Sequence, residues 1–161
     1  MGVRRCSADT TMFHRFFTAI IVAVGVNLAI AASGGSGDAE LEIIDSSSAS
    51  DVGVDLDRYL WTHRLIAVFS DSPESPLFLQ QMELLQALPE ELIERDVIVL
   101  TDTDPTIQSS LRMQLRPRGF TIVIIGKDGG VKLRKPFPWS IREISRAIDK
   151  MPLRQLELQS K

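Results

Sequence analysis

The sequence predicts one α/β domain with a mixed sheet, and three observations lead to this fold class. Two uninterrupted apolar runs, 65–69 and 97–100, are typical of strands buried on both faces of a sheet. Apolar residues at helical spacing follow the first run, and a helix-start signal follows the second. A third apolar run, 120–125, leads into Lys-Asp-Gly-Gly and an alternating segment, which indicates a β-hairpin.

The first half of the domain is predicted to consist of two strand–helix units. The strand at 65–69 is followed by a helix over 76–87, with apolar residues at i, i+4 and i+7, and by a helical turn over 90–95. The strand at 97–100 is followed by Asp104 and a proline. An aspartate at the N-cap with proline at the first helical position predicts a helix that reaches Leu115.

The second half is predicted to be a hairpin and a closing helix. The alternating segment 131–135 returns antiparallel to the strand at 120–125. Ser140 and Glu143 match a capping box, and the helix they open is expected to end before Pro152. The element order is β-α-β-α-β-β-α. Right-handed crossovers then place helices on both faces of a mixed sheet of about four strands, a three-layer sandwich with the thioredoxin layout.

The N-terminal segment predicts export. Three arginines precede a run without charged residues from Phe16 to Ala32, which contains the small-x-small pattern Ala29-Ile30-Ala31. This is typical of a signal peptide over 1–31 that is cleaved near Ala31, whether translation starts at Met1 or Met12. We therefore expect a periplasmic or secreted protein. The alternative is an uncleaved segment, which would be the only contact with a membrane.

Cleavage would leave an acidic chain without cysteine. Three of the 18 Lys and Arg and one of the 21 Asp and Glu lie in 1–31, so the rest has a net charge of −5. This balance argues against nucleic acid as a partner. The segment 32–56 is rich in Ser, Gly and acids and is predicted to be a flexible linker. Only 41–44 is apolar enough to dock as a short strand, and the folded domain follows over 57–157.

Three short motifs identify a family. They are Trp-Thr-His-Arg-Leu at 61–65, Ile-Gly-Lys-Asp-Gly-Gly-Val-Lys-Leu-Arg at 125–134 and Ile-Asp-Lys-Met-Pro-Leu-Arg-Gln at 148–155. Together they resemble the domain of unknown function 4174 family, over about residues 57–157. Its bacterial members are small secreted proteins, and its animal relatives occur in extracellular matrix proteins of the sushi-repeat and coiled-coil-domain-containing type. The resemblance implies a thioredoxin-like fold and an extracytoplasmic location, but no activity.

The place where thioredoxins carry Cys-x-x-Cys holds Ser72 and Ser75 here. Thiol exchange requires a thiolate, and Cys6 is the only cysteine of the chain. We therefore expect no thiol–disulfide activity and no cofactor. In the ordinary interpretation Ser72 belongs to a loop and Ser75 caps the following helix.

Two groups of charged residues remain as candidate sites. Asp71, Asp102 and Asp104 follow the two parallel strands and would meet at one edge of the sheet, where they either cap turns or hold Mg²⁺ or Ca²⁺ for a metal-dependent enzyme.

The second group is basic and consists of Lys127, Lys132 and Arg134 on the hairpin, with Arg154 near the C-terminus. The hairpin residues either protect a solvated edge strand or receive an envelope or extracellular protein, or an anionic ligand. Arg154 either anchors the C-terminal turn by pairing with Asp149 or Glu157, or contacts the partner. The favoured hypothesis is a non-catalytic binding module. The alternative is an enzyme, either an oxidoreductase-like relative or a metal-dependent one.

Overall fold

The computed structural model describes residues 40–46 and 55–160. The predicted signal peptide and most of the predicted linker lie outside these residues. Within the described part, five strands form one sheet in the order β1-β3-β2-β4-β5. The strands are β1 (Ile43–Asp45), β2 (Arg64–Phe69), β3 (Val97–Asp102), β4 (Thr121–Ile125) and β5 (Val131–Lys135).

The sheet is mixed, as predicted. β2 pairs with β3 in parallel, and β4 runs antiparallel to β2. The hairpin partner β5 is antiparallel to β4. Every residue of β2, β3 and β4 is buried, which agrees with their unbroken apolar runs.

Helices cover both faces of the sheet. They are α1 (Pro76–Gln86), α2 (Pro89–Ile93), α3 (Ser110–Leu115), α4 (Ile141–Asp149) and α5 (Pro152–Gln159). One face packs against buried leucines and isoleucines of α1, α2 and α4. The other face packs against α3 and a 3₁₀ turn at Leu56–Tyr59. The three-layer arrangement expected from the sequence is therefore confirmed.

The prediction of about four strands was one strand short. β1 lies beside β3 in parallel and extends the sheet at its edge. The backbone N–H of Val99 donates to Glu42 at 2.9 Å, and the hydroxyl of Ser46 donates to the carbonyl of Thr101 at 2.8 Å. Part of the predicted linker thus belongs to the sheet, at the place where the sequence allowed a short strand.

One helix start differs from the predicted one, and one helix was not predicted. Asp104 does not cap α3, because its carboxylate accepts hydrogen bonds from the backbone and hydroxyl of Thr106 and holds a separate turn. The helix starts later, capped by Ser109, whose hydroxyl accepts from the N–H of Arg112 at 3.1 Å. The helix that Ser140 opens ends at Asp149, before Pro152, as predicted. A further helix, α5, was not predicted, and Pro152 lies in its first turn, where no backbone N–H is needed as a donor.

The predicted capping box of α4 is confirmed. The side chain of Ser140 accepts from the backbone of Glu143, and the Glu143 carboxylate accepts from the backbone of Ser140. This contact fixes the start of α4, whose far end leads into α5.

Candidate functional site

The two ends of the sheet differ in what they present. At the carboxyl end, β2 and β3 finish at Phe69 and Asp102, and the loops that follow them lead into α1 and α3. At the hairpin end, β2 starts with Arg64, and the β4–β5 turn lies beside it because Leu65 pairs with Ile125. Both ends contain candidate residues from the sequence.

A buried ionic network lies at the hairpin end. The Arg64 side chain is 1% exposed, and it donates to the carbonyl of Arg95 at 2.8 Å and to the Glu157 carboxylate at 2.9 Å. Lys127 Nζ lies 2.9 Å from the same carboxylate and 2.7 Å from Asp96. Glu157 therefore joins the start of β2, the hairpin and α5 through one side chain.

The environment of Glu157 keeps it ionised. Burial alone would raise its pKa, but the hydrogen bonds from Arg64 and Lys127 outweigh burial and lower the pKa to about 2. The link between α5 and the sheet therefore persists throughout the physiological pH range.

A second ionic cluster holds α4 and α5 against α2. Arg95 binds both carboxylate oxygens of Asp149 at 2.9 Å and also pairs with Glu91. The hydrogen bond between them raises the pKa of Arg95 and lowers the pKa of Asp149. Arg154 is 3% exposed and pairs with Glu94 at 3.1 Å. These contacts fix the junction of α4 and α5 next to the hairpin.

A pocket of about 80 Å³ lies between the hairpin and this junction. It is lined by Arg64, Gly126, Lys127, Asp128, Lys132, Met151, Pro152 and Leu153. All these residues belong to the three motifs at 61–65, 125–134 and 148–155. The fold thus brings three distant motifs together around one concave site.

An apolar groove adjoins the pocket. It shares Lys127 and Leu153 with the pocket and is also lined by Trp61 and Leu156. Trp61 is 68% exposed and Leu156 is 61% exposed. The backbone N–H of Trp61 donates to the carbonyl of Lys127 at 2.7 Å, and its φ of 65° is the left-handed conformation, rare for tryptophan. We call the pocket and this groove together the hairpin-end surface.

The four basic candidates from the sequence do not form one open cluster. Lys127 is bound in the network, and Lys132 Nζ lies 2.6 Å from Asp128, which lowers the pKa of that aspartate. Arg154 is buried beneath the surface. Arg134 is exposed, but its guanidinium donates to the carbonyl of Leu115 at 2.6 Å, toward the other end of the sheet.

The serine pair lies at the carboxyl end, in the loop before α1. The hydroxyl of Ser72 donates to Glu74 and accepts from the backbone of Glu74 at 3.1 Å. The hydrogen bond from Ser72 lowers the pKa of Glu74. Ser75 occupies the N-cap position of α1, as predicted, without a hydrogen bond from its side chain to the helix.

The three candidate aspartates do not assemble into a metal site. Asp102 is fully buried and pairs with Arg112, whose Nη2 lies 2.7 Å from the carboxylate, while the hydroxyl of Ser109 donates to its other oxygen. Asp104 holds its own turn with Thr106, and Asp71 is exposed. Across 40–46 and 55–160, no group of three His, Cys, Asp or Glu is placed to hold a metal ion. The metal-dependent alternative is not favoured for this reason.

The sequence indicated Glu157 only as an ion-pair partner for Arg154, which the structure shows at 3.5 Å, and it did not single out Leu156. A signal was present in the apolar spacing after Pro152, where Leu153 and Leu156 lie three residues apart. The sequence prediction placed no helix after this proline, so this spacing was not interpreted. Sequence spacing also does not reveal the 68% exposure of Trp61 or its backbone contact with Lys127.

Comparison with protein families identifies the family of this chain. The family model described as domain of unknown function DUF4174 matches residues 55–157, which include the whole pocket. The chain belongs to the DUF4174 family. A search of curated proteins finds no match.

Solved structures similar to this DUF4174 domain have the thioredoxin fold. A 2-Cys peroxiredoxin of Plasmodium vivax superposes with a TM-score of 0.53 at 14% identity, over 65% of this chain and 85% of its own. A chloroplastic thioredoxin z gives 0.52 at 26% identity, over 74% and 96%. A Nicotiana alata thioredoxin gives 0.51 at 14% identity, over 72% and 97%. The predicted thioredoxin-like fold is confirmed.

Among the residues that the structure describes, none of the helices has the length and apolar character required to span a membrane.

Proposed function

We propose that this DUF4174 domain is a non-catalytic binding module that takes a protein partner on the hairpin-end surface. The observation that carries the proposal is the convergence of all three motifs on one pocket. This pocket lies at the end of the sheet opposite to Ser72 and Ser75, the place of the thioredoxin thiols. The partner would be an envelope or extracellular protein if the predicted signal peptide directs export.

The hairpin-end surface has the composition of a protein-binding site. Tryptophan is enriched among the residues that dominate binding energy, and Trp61 is exposed beside Leu153 and Leu156. The surface is also held in place before binding, because Glu157 ties α5 to both Arg64 and Lys127. Fixing these groups in advance lowers the entropic cost of association.

The charges of this surface favour a protein over a small anion. Lys127 and Lys132 line the pocket, but each already pairs with at least one carboxylate. An anionic ligand would have to displace these acids, whereas an apolar side chain would bury Trp61 and Leu156 without breaking an ion pair. The alternative, recognition of an anionic partner by Lys132 and Arg134, is tested separately below.

Crosslinking in intact cells tests the proposal. The full chain would carry a C-terminal tag, and captured proteins would be identified by mass spectrometry. We expect one reproducible partner that is lost in the Trp61→Ala/Leu156→Ala variant and kept in the matched control Leu79→Ala, which truncates a leucine 54% exposed on α1. The same capture in all three proteins would contradict the proposal.

A Lys132→Glu/Arg134→Glu variant separates the two kinds of partner. Loss of the partner in this variant alone would assign recognition to charge. Sequencing the N-terminus of the recovered protein tests export, and a start after Ala31 is the expected result.

A further inference from the structure

A second groove lies at the carboxyl end, away from the hairpin-end surface. It is open, with a volume of about 590 Å³, and is lined by Asp71, Pro105, Gln108, Arg112, Met113, Arg116, Pro117 and Gly119. None of these residues belongs to the three motifs at the other end. The groove runs along the loop that joins α3 to β4.

Arginines dominate the charge of this loop. Arg112 is neutralised by Asp102, but Arg116 and Arg118 are exposed, and neither side chain has an ion pair or hydrogen bond among the described residues. Arg116 lines the groove, and Arg118 lies between Pro117 and Gly119, which line it as well. Two guanidinium groups without a partner among the described residues therefore lie at this groove, in a chain whose net charge is −3.

The backbone of the loop is fixed. Arg116 adopts a left-handed conformation with φ of 47°, and its N–H donates to the carbonyl of Arg112 at 2.8 Å. Gly119 also has a positive φ, 59°. The arginines are thus presented from a defined turn, which suits recognition of a carboxylate by a planar guanidinium.

The apolar lining of the groove favours an anionic peptide over phosphate or an anionic polymer. Met113 is 60% exposed, and it lies in the groove with Pro105 and Pro117. A phosphate ion or a purely anionic polymer would leave this apolar surface in contact with water. A peptide that carries acidic and apolar side chains would pair with the arginines and cover Met113 at the same time.

We propose that this groove binds an acidic peptide segment whose carboxylates pair with Arg116 and Arg118 and whose apolar side chain packs on Met113. Asp71 lines the same groove and opposes the ligand charge. The site is independent of the proposed function at the hairpin end, and separate variants distinguish the two.

Titration of the ¹⁵N-labelled full chain, followed by NMR, tests the site. The probe is the peptide acetyl-Asp-Glu-Leu-Asp-Glu-amide, and the control is the same peptide with Asn and Gln in place of the acids. We expect saturable shifts of the amides between 112 and 119 with the acidic probe. The Arg116→Glu/Arg118→Glu variant is expected to bind about tenfold more weakly, because two charge-assisted pairs become repulsive.

Two further variants sharpen the result. Asp71→Asn is expected to bind the probe about two- to fivefold more tightly, since a like charge leaves the groove. Trp61→Ala at the hairpin end should bind the probe as the unaltered chain does. The proposal would be overturned if the neutral peptide or inorganic phosphate bound as tightly as the acidic probe. It would also be overturned if the double arginine variant bound the acidic probe without loss of affinity.

Discussion

The two ends of the sheet bury side chains of opposite charge. The hairpin end buries cations, Arg64 and Arg154, and surrounds them with partly exposed carboxylates. The carboxyl end buries a carboxylate, Asp102, beneath the largely buried Arg112. One end presents an apolar surface with neutralised charges, and the other presents arginines that have no acidic partner. The same fold thus carries different chemistry at its two ends, which is set by local side chains.

The ends also differ in how far along the chain their contacts reach. Arg64 and Glu157 are 93 residues apart, whereas Arg112 and Asp102 are 10 residues apart. The hairpin-end network thus joins the first buried strand to the last helix. The carboxyl-end pair instead seals the place where β3 leads into α3, near the serine pair Ser72 and Ser75.

The largest expected effect on stability concerns the buried carboxylate of Asp102. Arg112→Met should lower the free energy of unfolding by about 3 kcal/mol, because Asp102 stays buried without its ionic partner. Urea denaturation at neutral pH measures this loss. In Arg112→Met/Asp102→Asn the unpaired charge is gone, so about half of the stability should return. Equal losses in the single and double variants would show that the charge is not the cause.

The next effect concerns Glu157 at the hairpin end and depends on pH. Its pKa is lowered from 4.5 to about 2, so its contribution is present above pH 4.5 and is lost as the pH falls toward 2. Glu157→Gln should therefore cost about 2 kcal/mol at pH 7. The difference from the unaltered chain should shrink below pH 4.5, as followed by urea denaturation at several pH values.

The control for this comparison is Glu83→Gln on the exposed side of α1, which should change stability by less than about 0.5 kcal/mol. A pH-independent cost of Glu157→Gln would instead point to lost packing of α5.

Alanine substitutions at one glycine near each end of the sheet are expected to have smaller effects on stability. Gly129 has φ of 73°, and an added Cβ would lie 2.7 Å from Leu60, so Gly129→Ala should cost about 1.5 kcal/mol. Gly119 has φ of 59°, but the nearest atom to its Cβ is 3.7 Å away on Asp71, so Gly119→Ala should cost only about 1 kcal/mol. Thermal unfolding measures both, and equal costs would mean that Leu60 moves aside freely.

The sequence predicted the parts of the fold that rest on local patterns. Continuous apolar runs identified β2, β3 and β4, and Ser140 with Glu143 identified the start of α4. Local patterns also predicted that α4 ends before Pro152, but they did not predict the helix that starts at this proline. The docking of α5 through Glu157 depends on Arg64, a residue far away in the chain.

The candidate site was harder to predict than the fold, since its contacts join residues that are far apart in the chain. Three motifs were recognised separately, but their convergence on one pocket depends on the pairing of β2 with β4. The basic residues were expected to act as a group. Their partners, such as Asp96 for Lys127 and Leu115 for Arg134, lie 31 and 19 residues away, and no spacing rule reveals such contacts.

The smallest expected effect separates stability from recognition at Trp61. A left-handed conformation costs a residue with a side chain about 1 kcal/mol, and glycine adopts it without that cost. Because Trp61 is 68% exposed and its N–H contact to Lys127 is made by the backbone, Trp61→Gly loses little burial and keeps the hydrogen bond. Its stability in thermal unfolding should equal that of the unaltered chain or exceed it by up to about 1 kcal/mol. Partner capture should nevertheless be lost. A clear loss of stability would mean that the tryptophan is held for packing rather than for binding.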